Sequence, residues 1–491
     1  MHNRFRSIIV IAIAILVTAS ATQACTPQVS TVEPVTDSQS RELAGRWEGE
    51  LAVMNMTYDI VVNFEAAESE LLGWIDIPKQ GVTGLELSLV EFESGKVHFE
   101  MKSNLPTAVF EGQLLEDGTL AGEYRQMGFK GTFALARAEA PVETPVVQES
   151  LPYLEEEVVI ENGEVRLAGT LSLPQTSGPH PAIVLVSGSG LQDRNSGHPT
   201  LPGYEPFKWL ADHLTRKGIA VLRYDDRGTG RSTGGEMGVD TTLDYASDTE
   251  AVLEYLLTRP DINPEQIGVL GHSEGAHIAA MVASRRSNIA FVISMAGMGV
   301  DGEALIALQA EQVARADGLD EEEIARRLES NRKEMELILA QDWDSLREFK
   351  TSETIEYLKG LPPDQRVPDD ELDAAVIETV DQNMKSLQGW FYYFLIHDPT
   401  EDWERVQVPV LALFGEKDTQ VSPVQNRPPL EAALARAGNK DVTVIVLPET
   451  NHLFQNAQTG GAAEYANLPM EFTPGLLETI SDWILERVDI Q

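Results

Sequence analysis

The chain has 491 residues, 42% of them hydrophobic and 23% charged, enough for two or three domains each with its own core. Its 78 acidic and 37 basic residues give a formal charge of −41, which excludes nucleic acid as a partner because such a surface repels phosphate. A single cysteine, Cys25, excludes any disulfide within the chain.

The first residues read as an export signal. His2, Arg4 and Arg6 precede an apolar run from Ile8 to Val17, and small and polar residues then lead to Ala24-Cys25. The run is too short to span a bilayer comfortably, so a cleaved signal peptide over residues 1–24 is expected. Cys25 falls where cleavage would occur and looks like a bacterial lipoprotein attachment site, although Thr22 and Gln23 replace the small apolar pair usual there. The expected product is exported, and is either lipid-anchored through Cys25 at the outer face of a bacterial membrane or secreted or periplasmic. A Ser/Thr/Pro tether follows over residues 25–43.

Residues 44–138 alternate with period two. Tyr58, Ile60, Val62 and Phe64 share one face, as do Val97, Phe99 and Met101. Roughly eight short strands separated by turns such as Glu116-Asp117-Gly118 predict a small all-β accessory domain, a barrel or a sandwich, and its opening Gly45-Arg46-Trp47-Glu48-Gly49 resembles the Gly-x-Trp start of lipocalin-like barrels. The acidic, proline-bearing stretch 139–154 has no periodicity and reads as a linker.

From 155 to 491 the rhythm is that of an α/β protein. Apolar runs at Ala182–Val186, Ala220–Arg223, Ile267–Leu270, Ala290–Met295, Val410–Phe414 and Val442–Leu447 alternate with helical patterns. That predicts an α/β fold, a mostly parallel sheet with helices on both faces. Residues 300–400 interrupt the alternation with helical spacing, for instance Leu372, Val376, Val380, Met384 and Leu387, and read as a helical cap. Asp320 with Glu323 predicts a capping box at one of its helices.

The chemistry centres on Gly271-His272-Ser273-Glu274-Gly275, a G-x-S-x-G turn between an apolar strand and a small-residue helix. A serine on so tight a turn projects its hydroxyl clear of the backbone, and the backbone N–H of Glu274 faces a developing oxyanion. A serine hydroxyl needs a base, and the base needs a third group to fix its tautomer. Asp418 ends the Val410 strand and His452 ends the Val442 strand, so the carboxyl edge of a parallel sheet brings both toward Ser273. Glu416 is the competing acid; His272 and His277 are expected to pack or hydrogen-bond locally. The second oxyanion donor is assigned to the N–H of Ser189, with Gly190 next, in the loop Ser187-Gly188-Ser189-Gly190. Tyr224-Asp225-Asp226-Arg227-Gly228 lacks the ending of a phosphate loop and reads as a structural turn with internal ion pairs. Trp390, Phe391 and Phe394 are candidates for an acyl pocket.

Ser-Gly-Ser-Gly-x-Gln-Asp-Arg, Asp-Asp-Arg-Gly-x-Gly-x-Ser, Gly-His-Ser-Glu-Gly, Gly-Glu-Lys-Asp and Asn-His-Leu-Phe-Gln occur in that order. From about Glu155 onward the chain therefore resembles the EstD-type esterases of the α/β-hydrolase superfamily. The resemblance implies Ser273 as nucleophile, Asp418 as acid, His452 as base and a β-rich N-terminal extension. Leu191 stands where that family often has proline, and Ala276 where a further glycine is common, so the shape of the acyl site is the part most open to change. The expectation is an exported serine hydrolase of carboxylic esters with a small-molecule ester substrate and with no metal and no organic cofactor. The alternatives are a serine peptidase or acyltransferase of the same fold, or a non-catalytic surface ligand-binding protein.

Overall fold

A computed structural model of the chain describes residues 42–138 and 151–490, apart from 54–55, 67–70, 78–81, 102–106, 127–128, 199–200, 202, 237, 362–365, 367–369 and 371. The expected signal peptide, the lipidation site at Cys25 and nearly all of the tether and linker lie outside the described residues. The chain divides into two compact units. One holds the N-terminal sheet together with residues 198–202 and 347–384, and the other holds residues 150–197, 203–346 and 385–491. The expected single domain over 155–491 therefore contributes part of its helical insertion to the first unit.

In the first unit, strands β1 (Gly45–Val53), β2 (Met56–Ala66), β3 (Leu71–Ile77) and β4 (Val82–Glu86) form one half of a sheet. The other half is β5 (Leu89–Glu93), β6 (Lys96–Met101), β7 (Ala108–Leu114), β8 (Leu120–Gln126) and β9 (Phe129–Ala138). All nine belong to one antiparallel sheet in the order β4-β3-β2-β1-β9-β8-β7-β6-β5, so the sandwich alternative does not apply. The link between the two edge strands bonds both halves, because Leu87 N–H donates to the Gly73 carbonyl and Ser88 N–H to that of Glu100. The sheet is thereby curled into a half-barrel. Period-two patterning puts Phe64, Phe99, Phe110, Tyr124 and Phe133 inside as a buried aromatic cluster, with Phe99 and Phe110 stacked at 4.4 Å. Trp47 donates its indole N–H to the Leu43 carbonyl and is covered by the Arg137 guanidinium.

The second sheet has eight strands in the order β10-β11-β13-β12-β14-β15-β16-β17. A hairpin of β10 (Tyr153–Asn162) and β11 (Val165–Pro174) leads antiparallel into it. Parallel strands follow: β12 (His180–Val186), β13 (Ala220–Tyr224), β14 (Ile262–His272), β15 (Val292–Met295), β16 (Val410–Gly415) and β17 (Val442–Leu447). The first three crossovers carry α1 (Pro206–Arg216), α2 (Thr242–Leu257) and α3 (Glu274–Arg285). Apolar residues at successive positions serve opposite faces. Val184, Val269, Val292 and Ala412 enter one core, while Ile183, Leu185, Leu270, Ile293 and Leu411 enter the other. Burial on both faces is why these strands read as unbroken apolar runs.

Between β15 and β16 lie α4 (Gly302–Ala316), α5 (Glu321–Leu339), α6 (Trp343–Gly360) and α7 (Leu372–Ser386). A π-helical turn over Leu387–Phe391 then leads to α8 (Tyr392–Ile396) and α9 (Thr400–Trp403). Asp320 caps α5 by accepting from the Glu323 N–H at 2.9 Å, and Val376, Val380 and Met384 form the buried stripe of α7. The chain closes with α10 (Pro423–Arg436), α11 (Ala462–Tyr465) and α12 (Leu476–Leu485). Among the described residues, no helix is long and apolar enough to cross a membrane.

What matters for function is register. Val186 pairs with Gly271, His272 with Met295, Met295 with Leu413, and Gly415 with Leu447. The ends of β12, β14, β16 and β17 therefore share one edge, and each is followed by a loop carrying a predicted site residue.

Candidate active site

Ser273 sits on the turn from β14 to α3 with φ +57° and ψ −120°. A non-glycine residue held there stores about 1–3 kcal/mol of backbone strain, a cost retained only where the surroundings enforce it. They do so through the two flanking glycines. A Cβ at Gly271 would lie 1.9 Å from the Gly275 carbonyl oxygen, and one at Gly275 would lie 2.2 Å from that of Val186. Strand, turn and helix thus pack closer than any side chain allows. The Ser273 N–H is fixed by the Met295 carbonyl at 2.8 Å.

The expected acid and base meet. His452 Nδ1 and Asp418 Oδ2 are 2.9 Å apart, and both residues are buried. The other oxygen, Asp418 Oδ1, accepts the N–H groups of Gln420 and Val421, each at 2.8 Å. Burial pushes the Asp418 carboxyl up, but the adjoining imidazole and those N–H groups outweigh it and hold the group below its ordinary range. Glu416 turns elsewhere, accepting from the Glu449 N–H at 2.9 Å.

His452 is bound through its backbone to the turn that carries Ser273. His272 Nε2 donates to the His452 carbonyl at 2.9 Å, and the two rings lie 4.9 Å apart. Burial, and next the neighbouring imidazole, push His272 down to about 4, so it is neutral at pH 7 and serves as a donor. The loop around His452 is braced from inside: Lys417 N–H donates to the Thr450 carbonyl, Asn451 N–H to that of Gln455, and Gln455 N–H to Asn451 Oδ1. Asn-His-Leu-Phe-Gln is thus a self-bonded loop, which explains the asparagine and glutamine flanking the histidine.

The loop after β12 lies against Ser273, since a methyl group built on Gly188 would be 3.1 Å from Ser273 Cβ. Its shape is set by Asp226, whose carboxylate accepts from Ser187 Oγ at 2.9 Å and from the Gln192 N–H at 2.9 Å. Asp225 takes a bidentate grip on Arg194, and Arg227 grips the buried Asp248 and also Asp240. The Asp-Asp-Arg turn is structural as expected, but its ion pairs run to other segments rather than within the turn. The Ser189 and Gly190 region is therefore braced by carboxylates thirty residues away in sequence. The first N–H groups of α3, beginning with Glu274, have no partner within the helix.

Sequence reasoning missed the side chain of Glu274. It is buried and accepts from Thr242 Oγ1 at 2.6 Å and from Trp390 Nε1 at 2.9 Å. Trp390 stacks on Phe394 at 5.4 Å, and Phe391 and Phe394 are both buried. A crevice beside the turn is lined by Ser187, Gly188, Gly190, Asp226, Tyr245 and Glu274, among others; none of the three aromatic residues lines it.

Residues 183–463 match the family described as alpha/beta hydrolase, more than half of the chain. The chain belongs to the alpha/beta hydrolase family. Esterase EstD of Thermotoga maritima is 29% identical over 306 residues, which are 61% of this chain and 60% of that protein. The 2,6-dihydropseudooxynicotine hydrolase of Paenarthrobacter nicotinovorans is 25% identical over 240 residues, 47% of this chain and 59% of that one. The chain thus spans about 60% of the length of these relatives. Among solved structures, the Pyrococcus furiosus esterase Pf2001 aligns at 16% identity with a TM-score of 0.37, over 61% of this chain and 83% of that one.

Proposed function

We propose that this alpha/beta hydrolase is a serine esterase acting on small carboxylic esters. The observation that carries the reading is the Asp418–His452 pair at 2.9 Å, tied through the His452 carbonyl to the residue preceding a strained Ser273. In the proposed reaction Ser273 Oγ attacks the ester carbonyl while His452 Nε2 takes the hydroxyl proton. Asp418 keeps the other ring nitrogen protonated and stabilises the imidazolium. The N–H groups of Glu274 and Ser189, or Gly190, receive the oxyanion. Collapse of the tetrahedral intermediate breaks the ester C–O bond, and His452 returns the proton to the leaving alcohol. Water then attacks the acyl-serine by the same route in reverse. The likeness to an esterase of the same family supports this reaction class.

The test is hydrolysis of p-nitrophenyl esters graded by acyl length, with Ser273→Ala as the control. The variant loses turnover and fluorophosphonate labelling while keeping its circular dichroism spectrum. Retained turnover or retained labelling refutes the assignment.

We further propose that the chain is exported and lipid-modified at Cys25, on the sequence pattern alone. Incorporation of labelled palmitate in a bacterial host, and its loss in Cys25→Ser, is the expected outcome.

A further inference from the structure

Three side chains outside the proposed catalytic set converge on one point in the second unit. They are His277 from α3, His397 just past α8 and Asp402 from α9. One nitrogen of each imidazole and one oxygen of the carboxylate all lie within 4.8 Å of one another. His397 Nε2 is 2.8 Å from Asp402 Oδ2, His277 Nε2 is 3.5 Å from the same oxygen, and the two rings face each other at 4.8 Å. We propose that His277, His397 and Asp402 form a binding site for a zinc-class divalent cation, with the fourth position open to water.

The strongest argument is His277 itself. It is only 2% exposed, Nδ1 has no hydrogen-bond partner, and Nε2 has only the long 3.5 Å contact to Asp402 Oδ2. A buried imidazole so poorly partnered is costly, and a metal bond to Nε2 satisfies that nitrogen. The spacing is right for a tetrahedral ion. Bonds of roughly 2.0–2.1 Å put donors about 3.4 Å apart, so the two distances to Asp402 need to change little and only the pair of rings must draw together.

Two of the three donors have supporting contacts of the kind a metal site uses. Asp402 Oδ1 is held by Ser284 Oγ at 3.0 Å, which leaves Oδ2 for the ion. Tyr393 Oη lies 3.4 Å from His397 Nδ1, where it can accept the Nδ1 proton when Nε2 ligates. His397 is partly exposed and gives the ion access from solvent. Two imidazoles and one carboxylate suit zinc, cobalt or nickel and not calcium or magnesium, which take oxygen ligands. The expected role is a clasp. His277 lies one turn along the helix that begins at Ser273, so the ion would tie that helix to the segment entering β16.

The full chain without a polyhistidine tag, stripped with EDTA and exchanged into chelator-free buffer, is titrated with Zn²⁺ by calorimetry. A parallel titration with Co²⁺ is read by visible absorption. One equivalent per chain is expected, with the intense bands of four-coordinate cobalt and a raised melting temperature. His397→Ala, at the exposed edge of the site, abolishes the cobalt bands, and Tyr393→Phe weakens binding about 10–100-fold. His452→Ala retains both the stoichiometry and the bands. Absence of stoichiometric binding by the native chain overturns the proposal, as do bands that survive His397→Ala or vanish in His452→Ala.

Discussion

Replacing Asp418 by asparagine tests the proposed chemistry without removing an atom from the fold. The two backbone N–H groups of Gln420 and Val421 converge on Oδ1. In the amide, the oxygen must stay there, because turning the NH₂ group toward two donors would leave all three unsatisfied in a buried site. The NH₂ group is then forced to face His452 Nδ1, where the carboxylate oxygen now stands at 2.9 Å. A donor at that position selects the tautomer protonated on Nε2, which cannot take the Ser273 proton. Turnover should fall about 10⁴-fold, close to 5.4 kcal/mol of barrier at 1.36 kcal/mol per tenfold. Binding of a substrate analogue and the urea midpoint should change little. Glu416→Gln is the matched control, because Glu416 accepts only a backbone N–H in the neighbouring loop. The assay is kcat on a short p-nitrophenyl ester at neutral pH. Asp418→Asn within tenfold of the native chain, or Glu416→Gln as damaging as Asp418→Asn, would refute the assignment.

Other outcomes follow from the same contacts. His272 is held at about 4 against an ordinary 6.5, so the folded state is unprotonated where the unfolded state carries a proton. Its contribution to stability is complete above pH 6.5 and is lost as pH falls toward 4, to a limit of about 3 kcal/mol. His272→Gln should flatten that window in urea unfolding at pH 7.5 and pH 5; an unchanged difference would rule out His272 as its source. Trp390→Phe removes a donor from the buried Glu274 carboxylate and should lower stability by about 1–3 kcal/mol, read from denaturant unfolding. Arg227→Met leaves Asp248 without its guanidinium and should cost about 3–5 kcal/mol, with loss below 1 kcal/mol counting against the strut role.

The strands of the second sheet could be read directly because burial on both faces writes itself as unbroken apolar runs, and all six predicted runs are strands. The loop residues Ser273, Asp418 and His452 stand out as candidates for the related reason that each ends such a run. In the first unit the alternation is equally plain, yet the choice between barrel and sandwich was not legible. It depends on Leu87 and Ser88 bonding to both halves, a contact that no periodicity encodes. The pairing partners of Asp225, Asp226 and Arg227 were misread for a similar reason. Local spacing invites local ion pairs, whereas tertiary packing supplied Arg194, Ser187 and Asp248 instead.

The formal charge of −41 says little about the site, and burial explains why. Six carboxylates are buried among the described residues: Asp225, Asp226, Asp248, Glu274, Asp402 and Asp418. Each is matched by donors, as desolvation of a charge demands. The first three face guanidinium, hydroxyl or backbone N–H groups and brace loops. Glu274 faces a hydroxyl and an indole. Only Asp402 and Asp418 face imidazoles, groups that can exchange a proton or a metal bond near neutral pH. Of these two, only Asp418 follows a strand that ends on the edge carrying Ser273, and its imidazole is bonded through the backbone to the residue beside that serine. The Asp402 cluster meets the helix that Ser273 begins only through His277. The functional assignment therefore rests on which buried carboxylate meets an imidazole at the sheet edge, and the exposed acidic majority has no part in it.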